Sequence, residues 1–182
     1  MKARLMERLQ MKGFTVREIH SPVDFLKAWN AVMVPPQDPV TVLTDPITTT
    51  WLDPYANVRW IPDDGGRSLI MDSQLGFTGV SFALAETGTV VLAEDSGYGR
   101  LVSNMVTRHV ALIPENRIVE NWEEALQTMR RVVGRIPRIM SFISGPSQTA
   151  DIQGTLVRGM HGPVQVEAWI VPPIDPATLV LT

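Results

Sequence analysis

The sequence predicts an α/β fold with a mostly parallel sheet and one antiparallel hairpin. Short apolar runs typical of strands alternate with amphipathic helical segments. One stretch with period-2 alternation is interrupted by a glycine-containing turn, which indicates a hairpin. Apolar residues make up 45% of the 182 residues, enough for an ordinary core. A chain of this length fits one domain, and we expect residues 1–182 to form it.

Two helices are predicted in the N-terminal segment, residues 1–34. The first ends at Gly13, where a helix C′ glycine belongs. The second has Ser21 as its candidate N-cap and Pro22 at N1. The proline-rich residues 34–39 end it, because proline cannot continue a helix.

The middle of the chain predicts strands separated by turns. Residues 40–43 and 58–61 are strand candidates, and the segment between them is interpreted as mostly loop. Its aspartates, Asp45 among them, are interpreted as turn residues. Residues 62–66 (PDDGG) are a strong turn signal.

The most regular segment covers residues 77–93. Alternation predicts a strand up to Ala85, residues 86–89 predict a tight turn, and residues 90–92 continue as a second strand. The small side chain of Ala83, like that of Ala85, indicates that another element packs closely on this face.

The last part of the chain continues the alternation of strands and helices. Three further strands are predicted from apolar runs: 110–113, 139–143 and 164–171. A helix capped by Asn121, with Glu124 at N3, closes at Gly134. Residues 149–157 are expected to begin helically.

Composition excludes several classes of function. A net charge of −3 gives no basic footprint for nucleic acid. The 182 residues contain no cysteine, so they offer no thiol nucleophile, disulfide or thiolate ligands for an iron–sulfur cluster. The three histidines lack metal-site spacing, and we expect no metal. Without a signal-type apolar region or a run of the roughly 20 apolar residues of a membrane span, we expect a cytoplasmic protein.

The first candidate ligand site follows the predicted strand 139–143. It consists of small and polar residues: Ser144, Gly145, Ser147, Thr149 and Asp151. Ligands of open α/β sheets bind at the carboxyl ends of the strands, and a helix starting near Thr149 would favour a phosphate or carboxylate. An ordinary strand–loop–helix connection explains the same residues equally well.

The hairpin turn is the second candidate, formed by Glu86, Thr87, Gly88 and Thr89. Apolar residues on both sides suggest that the Glu86 carboxylate is partly desolvated, as suits a catalytic acid, base or nucleophile. The alternative is a turn glutamate that accepts hydrogen bonds from backbone amides.

Two further features are weaker. Gly97, Gly99 and Arg100 could clamp an anion, or Arg100 could be an ordinary solvated arginine. His161 and Gly162 directly precede the last strand and could face the same edge pocket. A serine hydrolase is disfavoured because Ser144 lacks the G-x-S-x-G elbow.

Residues 77–92, FTGVSFALAETGTVVL, resemble the signature of the lactate-utilisation protein C family (LutC/YkgG-like, LUD domain). Supporting segments follow in the family's order, and the resemblance covers residues 69–172. These segments are 99–103, His109, 143–147, 149–152 and 159–163.

The resemblance implies a Rossmann-like fold of the ribose-phosphate isomerase, glucosamine-phosphate deaminase and CoA-transferase (NagB/RpiA) type. It implies a role in oxidising L-lactate to pyruvate beside partner proteins that carry the iron–sulfur clusters. This chain would then be a non-redox subunit or accessory factor with no cofactor of its own. The matching positions become site candidates: Glu86, Thr87, Gly88, Ser144, Gly145, Ser147, Thr149, Asp151, His161 and Gly162.

Two other functions stay open at this point. One is a free-standing enzyme that uses Glu86 on a sugar-phosphate or CoA-type anion. The other is a regulatory domain that binds an organic acid without converting it.

Overall fold

The computed structural model describes residues 1–33, 40–55, 58–61, 68, 70, 73–150 and 156–175. The helices discussed below are α1 (Lys2–Met11), α2 (Pro22–Val32), α3 (Pro46–Leu52), α4 (Tyr98–Met105) and α5 (Trp122–Val133). The strands are β1 (Thr15–Glu18), β2 (Val40–Leu43), β3 (Val58–Ile61), β4 (Leu75–Gly79), β5 (Phe82–Leu84), β6 (Thr89–Glu94), β7 (Arg108–Pro114), β8 (Ile118–Val119), β9 (Ile139–Ile143), β10 (Gln148–Ala150), β11 (Leu156–Arg158) and β12 (Gln165–Val171).

The main sheet has six strands in the order β1-β12-β7-β4-β2-β3, and all of its pairings are parallel. A second sheet has the order β8-β5-β6-β9, and it contains the antiparallel β5–β6 hairpin. A third, two-stranded sheet pairs β10 with β11. The predicted α/β class with a mostly parallel sheet is confirmed.

The parallel sheet carries a core on each face. On one face, α2 and α3 pack an aromatic cluster that includes Phe25, Phe77 and Trp169. On the other, α1 and the second sheet meet, and Ala83 and Ala85 lie in this cluster beside Leu5, Leu9 and Ala111. The close packing predicted from the two alanines is therefore confirmed, and α1 is one of the elements that provides it. A third cluster lies between the second sheet and α5.

The helix caps predicted from local pattern are confirmed. The Ser21 hydroxyl accepts a hydrogen bond from the amide of Asp24 at the start of α2. Asn121 caps α5 in the same way, and Gly134 ends that helix with a φ of 74°. Gly13, with a φ of 89°, follows the C-terminal end of α1. The N-terminal segment, predicted as two helices, also contains the strand β1.

The loop predicted after residue 43 is wrong. Residues 46–52 form α3, because the Asp45 carboxylate accepts hydrogen bonds from the amides of Ile47 (2.8 Å) and Thr48 (2.9 Å). Pro46 then occupies N1, where its missing N–H is not needed. The Asp-Pro pair interpreted as a turn is the start of a helix.

The regular segment 77–85 is two strands in two sheets. β4 ends at Gly79, and the chain crosses to the second sheet before β5 begins at Phe82. The amide of Val80 donates to the Leu112 carbonyl in the parallel sheet, and that of Ser81 donates to Val91 in the second sheet. Alternation did not reveal the crossing because the residues on both sides of it are buried.

The strand predicted at residues 139–143 is confirmed as β9, but its place in the fold differs from the expectation of a buried strand of the parallel sheet. It is an edge strand antiparallel to β6 in the second sheet, and Phe142 is 51% exposed. The helix start predicted near Thr149 is wrong. Residues 148–150 form β10 rather than a helix start, since they pair with β11. The proline-rich residues 34–39, predicted to end the second helix, and the turn predicted at 62–66 lie outside the described residues. Within the described part of the chain, no helix is long and apolar enough to cross a membrane.

Candidate functional site

The two turns selected from the sequence are in contact. The Thr89 and Ser144 hydroxyl oxygens are 2.8 Å apart, and the Thr87 hydroxyl donates to that of Thr89 over 2.9 Å. Antiparallel pairing of β6 with β9 causes this contact, because Val90 lies opposite Ile143 in the register. Residues 89 and 144 are therefore neighbours across the end of the pair.

A cleft of about 280 Å³ lies beside the second turn and is called the hydroxyl cleft here. Five of the predicted site residues line it: Ser144, Gly145, Ser147, His161 and Gly162. Ser103 and Asn104 of α4, together with Phe142 and Gln148, complete much of its wall. The Ser147 amide donates to the Pro163 carbonyl over 2.9 Å, which holds the two wall segments together.

The cleft can bind a small anion through hydrogen-bond donors on its wall. The Ser144, Ser147 and His161 side chains offer hydroxyl and imidazole groups, and Asn104 is exposed beside them. Ser144 and His161 are exposed to solvent, so the cleft is open and its ligand would stay partly hydrated.

A second groove of about 470 Å³ lies on the other side of the same loop. It is lined by Met11 and Lys12 at the end of α1, and by Ser144, Gly145, Pro146 and Gln148. The loop that carries Ser144 thus separates two polar surface depressions, one facing His161 and one facing Lys12.

Helix α1 explains the glycines of the two candidate turns, Gly88 and Gly145. A Cβ on Gly88, whose φ is +65°, would lie 2.6 Å from the carbonyl carbon of Arg8. A Cβ on Gly145, whose φ is +129°, would overlap the carbonyl oxygen of Lys12. Both turns therefore pack directly against the backbone of α1, and side chains at these positions are excluded by the helix.

Glu86 lies apart from the hydroxyl cleft. Its side chain and that of Thr87 are exposed, while its amide donates to the Glu120 carbonyl. The expected partial desolvation of Glu86 is wrong: the apolar residues on either side are buried in the core, whereas the Glu86 side chain itself is exposed.

The segment around Arg100 forms the start of α4 and binds a carboxylate of the chain itself. The amides of Gly99 and Arg100 each donate over 2.7 Å to the Glu94 carboxylate. Glu94 is fully buried, and this burial raises its pKa while the two amides oppose the rise. The Arg100 side chain is exposed.

Among the other predicted site residues, Thr149 lies in β10 opposite Val157, and Asp151 is outside the described residues. Within the described part of the chain, no group of three or more His, Asp or Glu side chains is arranged to hold a metal ion.

The LUD domain family model matches residues 61–171, more than half of the chain. The chain belongs to the LUD domain family. The resemblance read from the sequence is therefore confirmed.

Relatives of this LUD domain include several proteins named lactate utilization protein C. The protein from Shouchella clausii is 39% identical over 111 residues, covering 58% of this chain and 48% of the relative. That from Bacillus subtilis is 36% identical over 112 residues, covering 59% and 47%. That from Bacillus licheniformis is 33% identical over 148 residues, covering 77% and 61%. The chain spans about half the length of the curated relatives it matches.

A solved structure supports the fold of the LUD domain. The crystal structure of a DUF162 family protein from Deinococcus radiodurans matches with a TM-score of 0.67 at 20% identity, covering 93% of this chain and 95% of that one. At this identity the match bears on the fold alone.

Asp45 is a polar feature of the LUD domain that sequence reasoning missed. Its carboxylate caps α3 and also accepts a hydrogen bond over 2.9 Å from the amide of Gly79, at the carboxyl end of β4. Burial raises the pKa of Asp45 to about 6, although its backbone partners favour the charged form. The spacing Asp-Pro-x-Thr was the available signal, because it fits an N-cap with a proline at N1.

Proposed function

We propose that this LUD domain is a non-redox component of L-lactate utilisation, acting with partner proteins that carry the iron–sulfur clusters for oxidation of L-lactate to pyruvate. The observation that carries the proposal is the similarity to lactate utilization protein C, 39% identity over 111 residues. The lack of cysteine in the 182 residues supports the division of roles, since this chain supplies no thiolate ligand. We place no cofactor on the chain.

The hydroxyl cleft gives this component a place to bind a small organic acid. A carboxylate can accept hydrogen bonds from the Ser147 hydroxyl and the His161 imidazole, both of which line the cleft. The Asn104 side-chain amide beside them donates to the Arg100 carbonyl over 2.7 Å. A volume of about 280 Å³ suits a molecule the size of lactate or pyruvate. We favour binding at the cleft over the alternative enzyme based on Glu86, because that carboxylate is exposed and lies outside the cleft.

Growth on L-lactate tests the role in lactate utilisation. A strain without the gene, and without a paralogue, is expected to fail on L-lactate as sole carbon source, to grow normally on glucose, and to recover with the wild-type gene. Normal growth on L-lactate would refute the proposed function. Co-purification from lactate-grown cells is expected to recover cysteine-rich partners, and a chain recovered without them would refute the partnership.

Two histidine variants test the part played by the cleft. His161→Ala, in the cleft, is expected to reduce growth on L-lactate and to weaken the calorimetric binding of lactate or pyruvate. His20→Ala is the matched control, because this exposed histidine lies between β1 and α2. Equal growth and equal ligand affinity of the two variants would refute ligand binding at the cleft. The role in lactate utilisation would then be judged by the growth test alone.

A further inference from the structure

A third polar cavity lies at the amino ends of β1, β7 and β12. It has a volume of about 370 Å³ and is called the arginine pocket here, because Arg17, Arg108 and Arg158 all line it. Thr15, Gln165 and Glu167 supply further polar groups. Pro146 also lines it, so the arginine pocket and the hydroxyl cleft meet the same loop from different sides.

Strand register brings two of the arginines to one face of the sheet. Arg108 of β7 lies opposite Gln165 of β12, and Arg17 of β1 lies opposite Trp169 of β12. Residues two apart on a strand share a face, and partners in register share it too. Arg17 and Arg108 therefore flank β12 on the face covered by α2.

The third arginine comes from the small hairpin. Arg158 is the last residue of β11, and the next residue, Gly159, donates its amide to the Ser147 carbonyl over 3.0 Å. This bond ties the end of the hairpin to the loop that contains Pro146. The exposed Arg158 side chain is thereby held at the mouth of the pocket.

The hydrogen bonds of the other two arginines leave donors open. Arg17 Nε donates to Glu167 Oε2 over 2.9 Å, and the same oxygen accepts from Trp169 Nε1 over 2.9 Å. Arg108 donates to the Gln165 side chain (2.6 Å) and to the Val32 carbonyl at the end of α2 (3.1 Å). These contacts orient both guanidinium groups. Each guanidinium keeps further N–H groups that have no protein acceptor among the described residues.

The formal charge of the pocket lining determines which ligand charge the pocket favours. Among the described residues that line the pocket, three guanidinium groups face one carboxylate, Glu167, which leaves an excess of two positive charges. A monoanion would neutralise half of this excess, and a dianion would neutralise all of it. Guanidinium forks bind carboxylate and phosphate oxygens in pairs, which adds geometric selectivity to the charge attraction.

We propose that the arginine pocket binds a small dianion, either a phosphate monoester or a dicarboxylate. A cavity of about 370 Å³ is within the range of small-metabolite sites. This site is separate from the hydroxyl cleft and does not depend on the proposed role in lactate utilisation.

Calorimetric titration of the full chain at about pH 8 and constant ionic strength tests the pocket. The probes are inorganic phosphate and malonate as dianions, with acetate and L-lactate as monoanions. Either dianion is expected to bind at least about tenfold more tightly than both monoanions. Binding of phosphate alone assigns a phosphate monoester, and binding of malonate alone assigns a dicarboxylate. Affinities for dianions no higher than for monoanions would overturn the proposal.

Three variants locate the binding. Arg158→Gln is expected to weaken dianion binding about tenfold without unfolding the protein, since this side chain is exposed. Arg17→Lys keeps the charge beside Glu167 and removes the fork, and is expected to weaken binding by a smaller factor. Arg131→Gln, an exposed arginine on α5, is the control and is expected to change nothing. Equal losses in Arg158→Gln and Arg131→Gln would indicate general surface charge and refute the site.

Discussion

Two regions of the molecule have the polar groups of a ligand site: the sheet edge at the carboxyl ends of β2 and β4, and the loop around Ser144. They differ in whether those polar groups are hydrogen-bonded within the chain or exposed. At the sheet edge, the first amides of helices α3 and α4 have no acceptor within the helix, and they donate to the buried carboxylates of Asp45 and Glu94. At the loop, Ser144 and His161 are exposed beside a cleft.

In the described part of this fold, polar groups open to a ligand lie at the loop and not at the sheet edge. Helix N-termini at the edge of an α/β sheet are a common anion site. Here the chain places its own anions there, so these amides stabilise the fold. In the loop between β9 and β10, the Ser147 amide and carbonyl are paired with Pro163 and Gly159, and the Ser147 side chain lines the hydroxyl cleft.

The largest expected effect is at the sheet edge. Asp45→Ala removes the N-cap of α3 and leaves the buried amide of Gly79 without its acceptor. We expect the free energy of unfolding to fall by about 3 kcal/mol, measured by urea denaturation. Asp53→Ala, an exposed position at the end of the same helix, is expected to stay within about 0.5 kcal/mol of the wild type. Similar losses in both variants would contradict the structural use assigned to Asp45.

An intermediate effect is expected at His109, a buried polar side chain that, unlike Asp45, is not fully hydrogen-bonded. This imidazole is fully buried; Nε2 lies 2.9 Å from the Thr78 hydroxyl, and Nδ1 has no hydrogen-bond partner in the described part of the chain. Burial lowers the pKa of His109 from 6.5 to about 3. Between these values the unfolded chain binds a proton that the folded protein does not, so falling pH destabilises the fold.

Denaturation at pH 7, 6 and 5 measures this contribution. Once the pH is below the unfolded pKa, His109 is expected to reduce the free energy of unfolding by up to about 1.4 kcal/mol per pH unit. His109→Gln is expected to lose this part of the slope, whereas His20→Gln, at an exposed site, is expected to keep it. Other titrating groups contribute equally to the wild type and the variant. Identical slopes for wild type and His109→Gln would refute the depressed pKa.

The smallest expected effect is at the loop. Ser144→Ala removes the hydrogen bond between Ser144 and Thr89, but Ser144 is exposed and Thr89 keeps the bond from Thr87. The free energy of unfolding is expected to fall by less than about 1 kcal/mol in the same urea assay. A loss of stability as large as that of Asp45→Ala would mean that the loop is part of the structural core. It would contradict the difference described between the two regions.

Features set by neighbouring residues were predictable from the sequence. The caps at Ser21 and Asn121 and the hairpin turn depend on residues close in the chain, and all were found. Several of the candidate site residues line one cleft, and they could be selected because small polar residues at strand ends are visible in one sequence. Their assignment to the parallel sheet was wrong, since an apolar run such as 139–143 does not show which sheet it joins.

Features set by distant contacts could not be predicted. Gly88 meets Arg8, eighty positions away, and nothing near Gly88 indicates that a helix fills its open side. The arginine pocket could not be predicted for the same reason. Its three arginines, Arg17, Arg108 and Arg158, come from strands far apart in the sequence and share no local pattern. The prediction for Glu86 was wrong because it was based on the apolar neighbours, which are buried, whereas the Glu86 side chain is exposed.

The crossing at Val80 and Ser81 has a consequence for how the molecule unfolds. These adjacent residues donate their amides to different sheets, so one short piece of backbone anchors both. The second sheet cannot detach without straining the end of β4, and β4 lies inside the parallel sheet between β7 and β2. Native-state hydrogen exchange should therefore find both sheets opening as a single cooperative unit, with no intermediate in which one sheet remains protected alone.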